Sequence, residues 1–207
     1  MLKRIVGLIV LSLYFITFPV TSLEAVSQVR SYSYKIYNDT SHGSGVVIAP
    51  NLMLTAAHIV DGNSDLKVNG KPIKRIIKSN AKTDIALIEV EISCPCVAIA
   101  QNIPEMDQKV YTVGYPLGME QFLTEGRVQY FELPKNRMIT SIPVIFGNSG
   151  GGVFTLEDGT YKLVGIVSGV AQICDQFMPV CTPVTHLSAI VDLLTLKGFL
   201  KDVWLGS

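Results

Sequence analysis

Three short stretches of this chain carry side chains suited to acyl chemistry: Thr55-Ala56-Ala57-His58, Thr83-Asp84-Ile85-Ala86-Leu87 and Gly147-Asn148-Ser149-Gly150-Gly151. A serine hydroxyl is a weak nucleophile at neutral pH. A histidine that takes its proton activates it, and a carboxylate that holds the histidine in one tautomer completes the set. Each stretch alone is a weak signal, since glycine-rich turns with serine are common and a lone histidine is usually structural. Together, in the order His58, Asp84, Ser149, they point to attack on a carbonyl carbon. The glycines beside Ser149 would let the backbone turn so that the amides of Gly147 and Ser149 face the oxyanion that forms.

Groups so far apart in the chain need rigid elements to bring them together. Val46-Val47-Ile48 and Leu52-Met53-Leu54 flank a turn at Pro50-Asn51, and Asn69-Gly70 separates Leu66-Lys67-Val68 from Ile73 to Ile77, a two-residue hairpin signal. Ile85, Leu87 and Ile88 open another apolar strand. Cys94-Pro95-Cys96 and Pro104 mark a break between two halves. Beyond it come Val110 to Val113, Arg127 to Phe131, Met138 to Ile142, Val153 to Leu156 and Tyr161 to Val167, with Glu157-Asp158-Gly159 as the turn between the last two. Short strands at this spacing predict an all-β sandwich or barrels. Leu187, Ile190, Val191 and Leu194 recur at helical spacing ahead of Gly198, which predicts a helix at the tail.

The chain has 207 residues and a formal net charge of zero, enough for one domain plus a leader and without the basic surface a nucleic-acid partner requires. Lys3-Arg4 precedes an apolar run from Ile5 to Val20, which Pro19, Thr21 and Ser22 break. This is the layout of a signal peptide over residues 1–25, with cleavage after Ser22 or after Ala25. The alternative is a retained anchor, although a run of 16 residues falls short of the ~20 that a spanning helix needs. The expectation is a secreted or periplasmic protein, with membrane contact only if that segment is retained.

Residues from about Ser31 to Leu200 resemble a trypsin-like serine protease of the chymotrypsin superfamily, and among these the HtrA/Deg branch. The resemblance rests on Gly43-Ser44-Gly45, Lys82-Thr83-Asp84-Ile85-Ala86-Leu87, Gly114-Tyr115-Pro116-Leu117-Gly118, Thr124-Glu125-Gly126-Arg127-Val128 and Gly147-Asn148-Ser149-Gly150-Gly151. It implies two packed six-stranded antiparallel β-barrels: a first barrel over about 31–95, a second over about 105–185 and a short C-terminal helix over about 186–198. It implies a serine endopeptidase acting on polypeptides through an acyl-enzyme, with His58, Asp84 and Ser149 catalytic and no cofactor or metal. His42 and His186 are expected at the surface or in capping positions, His186 at the start of the terminal helix.

On the substrate side, Gly165-Ile166-Val167-Ser168-Gly169 resembles the strand that pairs with substrate backbone, and Ser168 matches a serine that bonds the catalytic aspartate. A serine that merely satisfies backbone at a strand end is the plainer reading. The pocket for the residue before the scissile bond (P1) is expected from Ile145, Phe146, Ser168, Gly169 and Val170. None is charged, so an apolar P1 residue is expected, in a pocket that bulky Ile145 and Phe146 could make shallow. Asn148 stands where zymogen-activated relatives have aspartate. A neutral amide needs no ammonium partner, so no propeptide-release switch is expected. HtrA proteins usually carry PDZ domains after the protease; none is expected within the residues up to Ser207.

Cys94, Cys96, Cys174 and Cys181 allow three full pairings. Cys174 and Cys181 would close a short loop, whereas a Cys94–Cys96 bridge would be strained, leaving that pair free or reaching across to the second half. A zinc site is the rival reading, since some viral proteases of this superfamily hold zinc with Cys-x-Cys in the interbarrel link. A second class of function also stands: a binding module that keeps the fold without catalysis.

Overall fold

The computed structural model describes residues 22–174 and 181–203, so the apolar run from Ile5 to Val20 lies outside the described residues. The first half is a seven-stranded antiparallel sheet: β1 (Ser33–Tyr37), β2 (His42–Ala49), β3 (Leu52–Thr55), β4 (Lys67–Val68), β5 (Lys71–Pro72), β6 (Arg75–Asn80) and β7 (Ile85–Glu89). Its order is β5-β4-β1-β2-β3-β7-β6. Among the described residues its end strands, β5 and β6, do not pair with one another; the expected all-β architecture of two packed units is what the molecule has, with seven strands in the first in place of six. The physical reason lies partly in β5, only two residues long and ending in Pro72, which has no N–H to extend a ladder. β5 and β6 therefore remain edges.

The second half does close. β8 (Lys109–Gly114), β9 (Phe122–Glu132), β10 (Arg137–Thr140), β11 (Gly152–Glu157), β12 (Thr160–Cys174) and β13 (Cys181–Val191) form a six-stranded barrel in the order β10-β13-β12-β11-β8-β9. The β9–β10 pair joins the ends.

The tight hairpins form where the sequence supplies residues that tolerate positive φ. Asn69 and Gly70 turn β4 into β5 at φ 50 and 76, and Asp158 and Gly159 turn β11 into β12 at φ 51 and 75. Positive φ at both central positions matches the right-handed twist of the strands they join.

The tail departs from the helical expectation over 186–198. Residues 186–191 belong to β13, and the helix α3 spans Leu193–Leu200. Leu187, Ile190 and Val191 fit a helical spacing, but β13 pairs on both sides, with β10 and with β12, and that pairing overrides local periodicity. The helix waits for Asp192, whose carboxylate caps the Thr195 amide at 2.8 Å. His186 is accordingly an exposed strand residue. An unforeseen helix, α1 (Ser22–Ser31), precedes β1, and both expected cleavage positions fall inside it. Its Val29 is buried in the main core.

That core spans both halves. Val46, Leu54 and Leu87 from the first sheet share one cluster with Phe154, Leu163 and Ile166 from the barrel, all at 0 % exposure. A second cluster, with Ile36, Met53 and Ile88, fills the far face of the first sheet. Alternate residues of β3 and β7 thus serve two cores, as the two-residue period of a strand requires. The shared core fixes one half against the other, and the candidate site lies on that seam.

Cys94 and Cys96 lie side by side in the link between the halves, their Cα atoms 4.7 Å apart. Cys174 and Cys181 stand opposite each other in the backbone register of the β12–β13 hairpin.

Candidate active site

His58 follows β3 in a four-residue helix, α2 (Ala57–Val60), and Asp84 immediately precedes β7. β3 and β7 are hydrogen-bonded neighbours, with Thr55 opposite Ala86, so adjacent strand ends bring residues 26 positions apart into contact. His58 Nδ1 lies 2.9 and 3.0 Å from the two Asp84 carboxylate oxygens, and the His58 amide donates to Oδ1 at 3.1 Å. The Ser168 hydroxyl donates to Asp84 Oδ2 at 2.5 Å. Asp84 adopts φ 58, a conformation that aspartate tolerates better than most residues.

These contacts set the charge states. Burial opposes ionisation of Asp84, but hydrogen bonds from the His58 ring, the Ser168 hydroxyl and the His58 amide outweigh it and hold the carboxyl below its usual range. The hydrogen bond to that carboxylate raises the His58 imidazole above its usual pKa, with partial burial pulling the other way. An imidazole with Nδ1 engaged by a carboxylate keeps Nε2 available for a proton. The His58 side chain is 49 % exposed against 14 % for Asp84, so the outer partner of the pair faces solvent.

Ser149 sits in the turn between β10 and β11, across the cleft from His58. Among the described residues its hydroxyl donates to the Ser168 carbonyl at 3.3 Å, and no hydrogen bond joins it to His58. Resting contacts of this kind lengthen or shift before a substrate is in place. The turn itself is fixed by backbone. Gly150 donates to the Val167 carbonyl at 2.8 Å, and Asn148 to Ile145 at 3.1 Å. Gly147 has φ 96, and a β-carbon there would run into the Tyr115 carbonyl and lie 2.9 Å from His42 Cδ2. The Phe146 carbonyl accepts from Leu117 N at 2.7 Å. In a trans peptide the N–H points away from the C=O, so the Gly147 N–H is turned to the opposite side. Among the described residues neither the Gly147 nor the Ser149 amide has a protein acceptor.

A cleft of about 630 Å³ runs along these groups. On one flank it meets Val144, Ile145, Phe146 and the Ser168-Gly169-Val170 stretch of β12; on the other, Thr40, Ser41, His42 and Ile59. All five expected substrate-side residues therefore line it. Ile145 and Phe146 are 51 % and 84 % exposed where they line it. β11 pairs with β12 up to Ile166, so among the described residues that edge of β12 carries no strand from Ser168 onward.

Sequence reasoning missed two residues. His42 opens β2 and lines the cleft beside Gly147, with a buried Nε2 that has no partner among the described residues, in place of the surface or capping role expected for it. Ser44 is fully buried and donates to the Gly147 carbonyl at 2.7 Å across 103 residues, a contact no local signal could reveal. Asn148 is 2 % exposed and its Oδ1 is unpartnered among the described residues, a placement that a neutral amide tolerates far better than a carboxylate.

Residues 43–166 match the family described as Trypsin-like peptidase domain. A probable periplasmic serine endoprotease DegP-like of Hahella chejuensis is 28% identical over 181 residues, spanning 80% of this chain and 38% of that protein. The periplasmic serine endoprotease DegP of Salmonella typhimurium is 27% identical over 144 residues, 62% of this chain and 30% of that one. The chain thus spans well under half the length of these relatives. Among solved structures, a serine endoprotease from Yersinia pestis aligns with a TM-score of 0.70 at 20% identity, covering 89% of this chain and 68% of that one. A protease of M. tuberculosis in its active form gives 0.70 at 19% identity, covering 99% and 96%. At these identities the structural likenesses speak for the fold.

Proposed function

This chain belongs to the trypsin-like peptidase domain family, a family of serine endopeptidases, and on that premise we propose that it hydrolyses polypeptides through His58, Asp84 and Ser149. The observation that carries the reading is the hydrogen-bonded row Ser168–Asp84–His58 facing Ser149 across the cleft. Ser149 attacks the scissile carbonyl while His58 takes its proton; the same proton then goes to the leaving amine, and water resolves the acyl-enzyme by the reverse route. Asp84, ionised and triply hydrogen-bonded, orients His58 and stabilises its cationic form. The Gly147 and Ser149 amides receive the oxyanion.

The uncovered edge of β12 from Ser168 offers backbone partners to an extended peptide, a strand-addition mode of binding. The uncharged lining beside Gly169 favours an apolar P1 side chain. Relatives named as periplasmic, together with the apolar N-terminal run, support action outside the cytoplasm. The Cys174–Cys181 register in the hairpin fits a bridge there in an oxidising compartment.

Labelling of the purified protein by a fluorophosphonate probe, with Ser149→Ala beside it, tests the reading. Labelling that vanishes in the mutant is expected. Folded wild-type protein that takes no label would favour the silent binding module.

A further inference from the structure

Resting on that reading, we propose that Ser44 is a positioning residue for the oxyanion donors, working from the opposite half of the molecule. Ser44 lies in β2 of the first sheet and is completely buried. Its hydroxyl donates to the Gly147 carbonyl at 2.7 Å and accepts the Tyr115 amide at 3.0 Å. Its own amide donates to the Ser149 carbonyl at 2.8 Å. Every polar contact Ser44 makes toward the barrel thus ends on the nucleophile turn or on the segment that backs it.

The contacts act on the peptide planes on either side of Gly147, the first of which carries the Gly147 N–H. The bond to the Gly147 carbonyl fixes the plane that follows Gly147. The preceding plane is fixed through Tyr115, because Tyr115 leads into the Pro116–Gly118 turn, where Leu117 N holds the Phe146 carbonyl at 2.7 Å. Leu117 is held at φ 52, a conformation that costs a non-glycine residue roughly 1–2 kcal/mol and persists only where neighbours over-determine it. Lys35, from β1 of the first sheet, donates to the Gly118 carbonyl and braces the same turn. Gly147 is thus gripped before and after its α-carbon, and the Ser44 hydroxyl takes part in both grips. The same residue carries register to the base, since Thr55 donates its hydroxyl to the Ser44 carbonyl at 2.7 Å, three residues before His58.

Ser44→Ala removes the donor to Gly147 and the acceptor for Tyr115 while leaving the Ser44 backbone contacts. With an internally quenched peptide bearing valine at P1, kcat is expected to fall about 10- to 100-fold, the scale at which small misplacements cost rate. KM should stay within about twofold, because ground-state binding is untouched. The affinity of a peptidyl boronate with the same P1 side chain should fall by the same factor as kcat/KM. The acid limb of the pH profile should not move, since Ser44 touches neither His58 nor Asp84. Thr140→Ala serves as control, removing a buried hydroxyl that bonds Ser188 elsewhere in the barrel; it should lower the thermal midpoint and spare kcat. If Ser44→Ala does not fold, Ser44→Cys, with a weaker donor of similar size, should show the same kcat loss in milder form. A Ser44 variant that keeps kcat and boronate affinity within twofold, or loses only KM, overturns the proposal. So does an equal kcat loss in Thr140→Ala. Wild-type protein that takes no fluorophosphonate label defeats the protease reading itself, a result readable before any Ser44 variant is made.

Discussion

His58 and Asp84 are held through their side chains on an open sheet, whereas Gly147 and Ser149 are held through their backbone carbonyls, which accept from Ser44, at the lip of a closed barrel. The difference has a chemical basis. A base must change charge and so needs partners that respond to charge, which side chains provide. An oxyanion donor must not move at all, and a turn locked by its own carbonyls supplies that. The first half should therefore be sensitive to side-chain chemistry and pH, the second to added volume.

The largest effect expected is from Asp84→Asn, which keeps size and removes charge. A fall in kcat of about 10⁴-fold at pH 7 is expected, since an amide favours the wrong His58 tautomer. The sign on pH follows. A base works when neutral, and the carboxylate raises the His58 pKa, so wild-type activity should drop as pH falls through a value above the ordinary histidine range. Without the carboxylate, that limb should move to lower pH in the kcat/KM profile. A limb that stays put would disconnect Asp84 from the base.

Gly147→Val should come next, with kcat reduced by about 10²–10³-fold and KM little changed. It would drive a β-carbon into the Tyr115 carbonyl at φ 96. A raised KM alone would sink the oxyanion assignment. Ser168→Ala should cost about 10-fold in kcat, the worth of one hydrogen bond to a charged group. If its rate matched wild type, the Ser168 hydroxyl would be only satisfying local polarity. The smallest effect belongs to Gly169→Ala. A β-carbon at Gly169 meets nothing within 4 Å, so the thermal midpoint should hold while the preferred P1 side chain becomes smaller in a peptide library. An unchanged profile would place P1 elsewhere.

The same contrast governs what could be read from the residues alone. Asn69-Gly70 and Asp158-Gly159 announced their hairpins because the needed backbone conformation is encoded in residue type. His58 and Asp84 were legible as types in short motifs. β13 was not, because Leu187, Ile190 and Val191 suit either period and only pairing with β10 and β12 decides between them. The open edge of the first sheet depends on Pro72 ending a two-residue strand, which no apolar pattern displays. His42 and Ser44 were invisible for another reason. Their roles come from contacts with Gly147, more than a hundred positions away, and a serine between two glycines carries no mark of what lies across the seam.

The unclosed ladder also bears on how the molecule behaves in a crowd. β6 ends the first sheet, with Ile76 and Ile77 partly exposed on it, yet Arg75 and Lys78 flank them, and Lys78 reaches over to the Phe199 carbonyl. A second copy that tried to add a strand there would meet these charged side chains first. Strand addition at that edge would first have to strip water from Arg75 and its Glu89 partner and pull Lys78 from the Phe199 carbonyl, a desolvation cost that guards the unpaired strand.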